Sequence, residues 1–186
     1  MDEMIDLTDE FGNPIGRSEK RSVIHARGLL HRTAHIWIVR GSRENLEVLL
    51  QKRAMNKDSY PGCYDTSSAG HILAGDEPEG SAKRELKEEL GIEAEKLQYA
   101  GNIRLHYTET FHGKQFDDNE VVFVYWADGS GIDLQKLTLQ EEEVESVCWM
   151  PLAKLKEETE KGNPEYCVTI ESIRLLCDTM RACNRL

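Results

Sequence analysis

Residues 70–92 read GHILAGDEPEGSAKRELKEELGI, and the run Arg84-Glu85-Leu86-Lys87-Glu88-Glu89-Leu90 within it decides how the chain is read. Wound as a helix from Ala82, it puts Ala82, Leu86 and Leu90 at roughly 0°, 40° and 80°, a stripe fit for burial. Glu89, Glu85 and Glu88 fall near roughly 340°, 300° and 240°, while Lys83, Lys87 and Arg84 lie between roughly 100° and 200°. Acids and bases are therefore sorted to opposite flanks. A solvated helix gains from opposite charges at i,i+4, yet Glu85 and Glu89 are like charges at that spacing, and so are Glu85 and Glu88 at i+3. Each like pair costs about 0.2–0.5 kcal/mol in an isolated helix. A hard divalent cation with oxygen ligands more than offsets that cost, and magnesium fits the chemistry. Pro78 suits a first turn and Gly91 a left-handed stop, which places the helix at 78–90.

Outward from this helix the chain alternates strands and turns. Residues 3–17 read as a hairpin around Asp9-Glu10-Phe11-Gly12-Asn13-Pro14, and 34–40 with 46–53 as a second antiparallel pair. Residues 66–72 form a strand that feeds the loop before the helix. Beyond it, 97–106, 120–127 and 144–149 read as strands, with 108–119 as a loop, and 151–161 and 164–181 as helices. In the last of these, Ile170, Ile173, Leu176, Cys177 and Met180 recur at helical spacing, as core packing requires. The expectation is one α/β domain over 1–186, with a hairpin at 1–20 and helices at 151–186.

Composition excludes several classes. With 23 Lys and Arg against 34 Asp and Glu, the net charge is −11, and no dense basic cluster is present to hold a nucleic-acid polymer. No apolar run reaches the roughly 20 residues needed to span a membrane, and Met1-Asp2-Glu3 opens no basic-then-apolar leader, so a cytoplasmic protein is expected. The five cysteines, Cys63, Cys148, Cys167, Cys177 and Cys183, are odd in number and form no C-x-x-C pair, which points to reduced thiols. An anionic small molecule fits such a chain where a metal masks the local negative charge.

The span 70–92 resembles the Nudix box: Gly, five residues, Glu, seven residues, Arg-Glu, an aliphatic residue, any residue, Glu-Glu, any residue, Gly, an aliphatic residue. Gly70, Arg84, Glu85, Leu86, Glu88, Glu89, Gly91 and Ile92 match at the right spacing, and Asp76 stands where Glu is usual. The resemblance implies the Nudix α/β/α sandwich with a mixed β-sheet, here with the N-terminal hairpin as an extension. It also implies Glu85, Glu88 and Glu89 as ligands of Mg2+, with Mn2+ as the alternative, and Arg84 as the group that orients them. The general base stays open among Glu88, Glu120 and the run Glu141-Glu142-Glu143.

Outside the box, the segments 23–35, 50–54 and 60–71 are similar to the Nudix subgroup related to isopentenyl-diphosphate isomerase. That likeness implies a second metal site at His25, His31, His71, Asp118 and Glu120. One of these acids is Asp instead of Glu, and the first histidine spacing is one residue shorter. It further implies Arg53 and Lys57, with Gly70, as residues that hold a substrate diphosphate. The isomerases carry a proton-transferring cysteine just before the Gly-His pair. Here that position is Ala69, and Cys63 lies six residues away. Loss of the proton carrier with retention of the box carboxylates argues for magnesium-dependent hydrolysis of a nucleoside diphosphate derivative or related organic diphosphate by metal-activated water. The alternatives are an isopentenyl-diphosphate isomerase and a non-catalytic nucleotide-binding module. The expected partner is thus a small-molecule diphosphate, and a homodimer stays open.

Overall fold

The computed structural model describes residues 2–186. Its strands are β1 (Met4–Thr8), β2 (Pro14–Lys20), β3 (His31–Arg40), β4 (Glu47–Arg53), β5 (Tyr64–Asp65), β6 (Ser68–His71), β7 (Gln98–Phe111), β8 (Lys114–Asp128) and β9 (Val144–Pro151). Its helices are α1 (Arg21–Arg27), α2 (Pro78–Leu90), α3 (Leu152–Glu160) and α4 (Ile170–Ala182).

β3 is the hub of a mixed sheet. It runs parallel to β8, from His31 opposite Glu120 to Val39 opposite Asp128, and antiparallel to β6, from Thr33 opposite His71 to Ile36 opposite Ser68. At its far end it pairs with β4 through Val39 and Arg40, and β4 in turn lies antiparallel to β9. The hairpin β1–β2 joins through Leu7 opposite His31.

Period-two alternation along β3 gives each face its own core. Ile36 and Ile38 point to the side covered by α2, where Ala82, Leu86 and Leu90 pack with Leu49 and Ile72. Trp37 and Val39 point to the opposite side, against Leu155 of α3 and Ile173, Leu176 and Met180 of α4. Helices thus cover both faces of the sheet. Leu86 keeps no exposed surface, and burying such a side chain contributes about 1.5–3 kcal/mol.

Three local expectations shift. The stretch 108–119 is not a loop: β7 and β8 stay paired as far as Phe111 opposite Lys114. The last helix begins at Ile170 instead of 164. The backbone before it is taken by extended pairing, with Tyr64 N–H donating to the Glu165 carbonyl at 2.7 Å and Cys167 N–H to the Tyr64 carbonyl at 3.0 Å. The Thr169 hydroxyl then caps the helix by accepting from Ser172 N–H at 3.3 Å. The short helix α1 stands where no element was read. Among the described residues, no helix is long and apolar enough to cross a membrane.

Candidate active site

α2 starts with Pro78 in its first turn and ends at Gly91, whose φ of 69° is the left-handed stop. With the Ala82–Leu86–Leu90 stripe buried, the acidic flank faces β6. Glu89 is 4% exposed; its Oε2 accepts long hydrogen bonds from Ala69 N–H at 3.3 Å and Gln51 Nε2 at 3.4 Å, and the Ser68 hydroxyl and Lys57 also favour its charged form. Glu85 lies against Gly70, where a Cβ would sit 2.5 and 2.6 Å from its two oxygens. Glu88 is half exposed. Arg84 ties the flank together: Nη1 meets Glu85 at 2.8 Å and Glu88 at 3.2 Å, while Nη2 donates to the His71 carbonyl at 3.1 Å. One guanidinium thus serves two carboxylates and a backbone carbonyl. Burial pushes Glu85 up to about 7 against the pull of Arg84, with Glu89 and Glu88 adding to the rise; burial likewise pushes Glu89 up.

Behind β6 lies a second cluster. α1 brings in His25, the start of β3 His31, the end of β6 His71, and β8 Asp118 and Glu120. His31 Nδ1 lies 3.0 Å from the Leu29 carbonyl, which assigns the ring proton to that nitrogen and leaves the Nε2 lone pair free. His31 Nε2 and Asp118 Oδ1 are both buried without a hydrogen-bond partner. Asp118 Oδ1 is 3.5 Å from His25 Nε2 and 3.6 Å from His31 Nε2; Glu120 Oε1 is 3.8 Å from His31 Nε2, and His25 Nε2 is 3.4 Å from His71 Nε2. Donors about 2.1 Å from a tetrahedral cation lie about 3.4 Å apart, so the spacing fits a metal.

The remaining electrostatics agree with that fit. Burial pushes His71 well down, helped by His31 and His25, so its imidazole is neutral and can ligate. Burial also pushes Glu120 well up, with the Asp118 charge adding to it. The Tyr107 hydroxyl donates to Asp118 Oδ2 at 2.8 Å, which holds the carboxylate with its other oxygen pointing inward.

Both clusters open into one cavity of about 680 Å3. Arg53 lines it, though its guanidinium is already engaged by Asp65 at 3.0 Å and by the Ser59 carbonyl at 3.1 Å. Lys57 also lines it and is ion-paired with Glu143; burial and then Arg53 lower its pKa. From the acidic run, Glu142 and Glu143 face the cavity. At the mouth, the β7–β8 tip clasps the 56–60 loop, with His112 Nε2 at 2.9 Å from the Lys57 carbonyl and the Phe111 and Tyr60 rings 4.8 Å apart.

The family model for the NUDIX domain matches residues 29–169. The chain belongs to the Nudix family. It is 39% identical over 167 residues to Nudix hydrolase 3 of Arabidopsis thaliana, an alignment that covers 89% of this chain and 21% of that protein. The chain therefore spans about a fifth of that relative's length. It is 30% identical over 154 residues to an isopentenyl-diphosphate Delta-isomerase of Streptomyces coelicolor, covering 83% and 74% of the two chains. A solved structure from Deinococcus radiodurans superposes with a TM-score of 0.67 at 16% identity over 98% of this chain and 100% of that one, a likeness of fold alone.

The Nudix box of this chain thus sits with its carboxylates on the cavity wall, while Asp76 offers Arg32 its backbone carbonyl, 3.3 Å from Nη2. Among the cavity residues that the sequence does not single out are Tyr107, Thr33 and His35. The signal for two of them was there, since Thr33 and His35 follow His31 at period two on one strand face.

The box carboxylates carry a pH signature. Glu85, pushed up to about 7, holds a proton in the folded protein where an unfolded chain, near 4.5, does not. A cation at Glu85 displaces that proton, so apparent magnesium affinity is expected to tighten as pH rises from about 6 to about 8 and to level off above. Calorimetric titration in buffers of different ionisation enthalpy measures the released proton. Affinity that is flat across this window would exclude Glu85 as a ligand.

Proposed function

We propose that the protein is a magnesium-dependent phosphoanhydride hydrolase acting on a nucleoside diphosphate derivative or a related organic diphosphate. The observation that carries this reading is the Glu85–Glu89 pair, two carboxylates on one helix flank whose pKa values burial raises, with Arg84 paired to Glu85 and Glu88 beside them. The chemistry supplied by a bound divalent cation is neutralisation of phosphate oxygens and acidification of water. Glu85, Glu88 and Glu89 are assigned as its ligands, and the histidine cluster with Asp118 and Glu120 as a second cation site.

The other steps fall to the chain's own groups. Arg53 and Lys57, both on the cavity wall, hold the diphosphate, and Lys57 does so by exchanging Glu143 for phosphate. Proton removal from water is assigned to Glu88, the box carboxylate that reaches solvent.

One observation favours a second reading: the preserved histidine cluster, which suits isomerisation of an isopentenyl-type diphosphate. Against it, residue 69 is alanine, with no atom able to carry a proton to carbon. The test is a panel of nucleoside and prenyl diphosphates incubated with and without magnesium. Hydrolysis predicts phosphate products only with the metal. Deuterium uptake from heavy water into a prenyl diphosphate, without phosphate release, would replace hydrolysis by isomerisation; tight binding without product would mark a binding module.

A further inference from the structure

The cavity continues past both carboxylate clusters along β3. His31, Thr33, His35 and Trp37 share one face of that strand, so the row runs from the histidine cluster to Trp37, whose indole N–H donates to Ser172 of α4 at 3.1 Å. The ends of this row are accounted for and its middle is not. The Thr33 hydroxyl is buried against the Glu120 carboxyl, whose charged form it favours. The ring of His35 faces the cavity, and Asp65, Asp118 and Arg53 act on it through space instead of through a hydrogen bond.

The register shows what stands beside His35. It is paired with Ala69, and directly opposed residues of an antiparallel pair project to the same side. The methyl group of Ala69 is the small neighbour of the imidazole on that face, both residues line the cavity, and the Ala69 N–H goes to Glu89 at 3.3 Å. The recess beside His35 therefore adjoins the box carboxylates. A group occupying it is the first one beyond the phosphates of a substrate held there.

The chemistry of that group follows from the wall. Burial holds the His35 imidazole neutral, so it offers one N–H donor and one lone-pair acceptor. Asp65, Cys167 and Thr169 line the same cavity, and Asp65 is the first of the charges that act on the imidazole. A hydroxyl, donor and acceptor at once, satisfies the imidazole. A prenyl chain would bury it unpaired.

Resting on the diphosphate reading above, we propose that His35 is a specificity-determining residue that hydrogen-bonds a hydroxyl of the sugar attached to the substrate's diphosphate. Such a site selects against partners that lack the hydroxyl, because their binding strands a desolvated polar group.

The experiment compares ADP, 2′,3′-dideoxy-ADP and dimethylallyl diphosphate by equilibrium titration of the full chain with magnesium. The wild type is expected to bind ADP at least about 30-fold more tightly than either other probe. In His35→Leu that preference collapses to within about threefold, while His35→Gln, which keeps a donor and an acceptor, retains at least about tenfold. If His35→Leu does not fold, the wild-type ratio and His35→Gln decide the matter. A wild type that binds ADP and dideoxy-ADP alike, or His35→Leu with undiminished preference, overturns the assignment of His35 alone. A wild type that binds none of the three probes removes the diphosphate reading, and this inference with it.

Discussion

Glu89→Gln is expected to cut magnesium-dependent turnover by at least about 1,000-fold and to raise the thermal midpoint of the metal-free protein. Two opposite effects on one substitution follow from a single fact. Glu89 is 4% exposed, and its Oε2 has two neutral donors at 3.3 and 3.4 Å. A carboxylate so placed is desolvated without adequate repayment, which is why burial pushes its pKa up. Glutamine has the same shape, and its amide oxygen in the place of Oε2 accepts from both Ala69 N–H and Gln51 Nε2. Without a cation the change removes an uncompensated charge. With a cation it removes a ligand.

The sign with pH is fixed by the same shift. A carboxyl whose folded pKa is raised contributes nothing to the pH dependence below its unfolded value, where both states are protonated, and costs stability as pH rises toward the folded value. The advantage of the glutamine variant is therefore small at pH 4 and larger at pH 8. At about 2–4 °C per kcal/mol for a chain of this size, a rise of a few degrees at pH 8 is readable by calorimetry in chelator. Unchanged turnover would remove Glu89 from the metal set, and a lowered midpoint would show that its charge is satisfied in the fold.

What was legible in the sequence divides along physical lines. α2 was readable to its boundaries because three local signals agree: the Ala82–Leu86–Leu90 stripe, Pro78 at the start and Gly91 at the stop. The central strands were readable because β3 and β4 alternate over buried cores. By contrast α1 spans only seven residues, too few for a helical period to stand out, and its boundaries come from tertiary contact. The extension of β7 and β8 through Asp117, Asp118 and Asn119 uses residues poor in strand propensity, held because each strand supplies the other's partners. The histidine cluster draws on α1, β3, β6 and β8, and no spacing rule joins positions 25, 31, 71, 118 and 120. A family likeness named them, and the geometry on β6 explains why they matter together: Ala69 contacts Glu89, Gly70 abuts Glu85, and His71 enters the histidine cluster. Three consecutive residues therefore separate two candidate metal centres.

That arrangement makes Gly70→Ala the second substitution with a large expected effect, and one that parts stability from activity. Gly70 is not among the glycines with positive φ, so its backbone accepts alanine. What alanine lacks is room, since a Cβ there overlaps the Glu85 carboxylate carbon. The obstructing atoms lie at the end of a flexible side chain, so the fold adjusts by swinging Glu85 away and stability falls by only about 1 kcal/mol, or a midpoint loss of about 2–4 °C. The displaced carboxylate leaves the proposed magnesium set, and turnover is expected to fall about 100-fold, with a matching rise in the magnesium concentration for half-maximal rate. The double variant Gly70→Ala with Glu85→Asp shortens the arm by one methylene, makes way for the new Cβ, and is expected to recover about tenfold of that loss. An alanine variant with wild-type magnesium dependence would show that Glu85 binds no metal. A double variant no better than the single one would show that the loss comes from β6 itself and not from the carboxylate it was built to make room for.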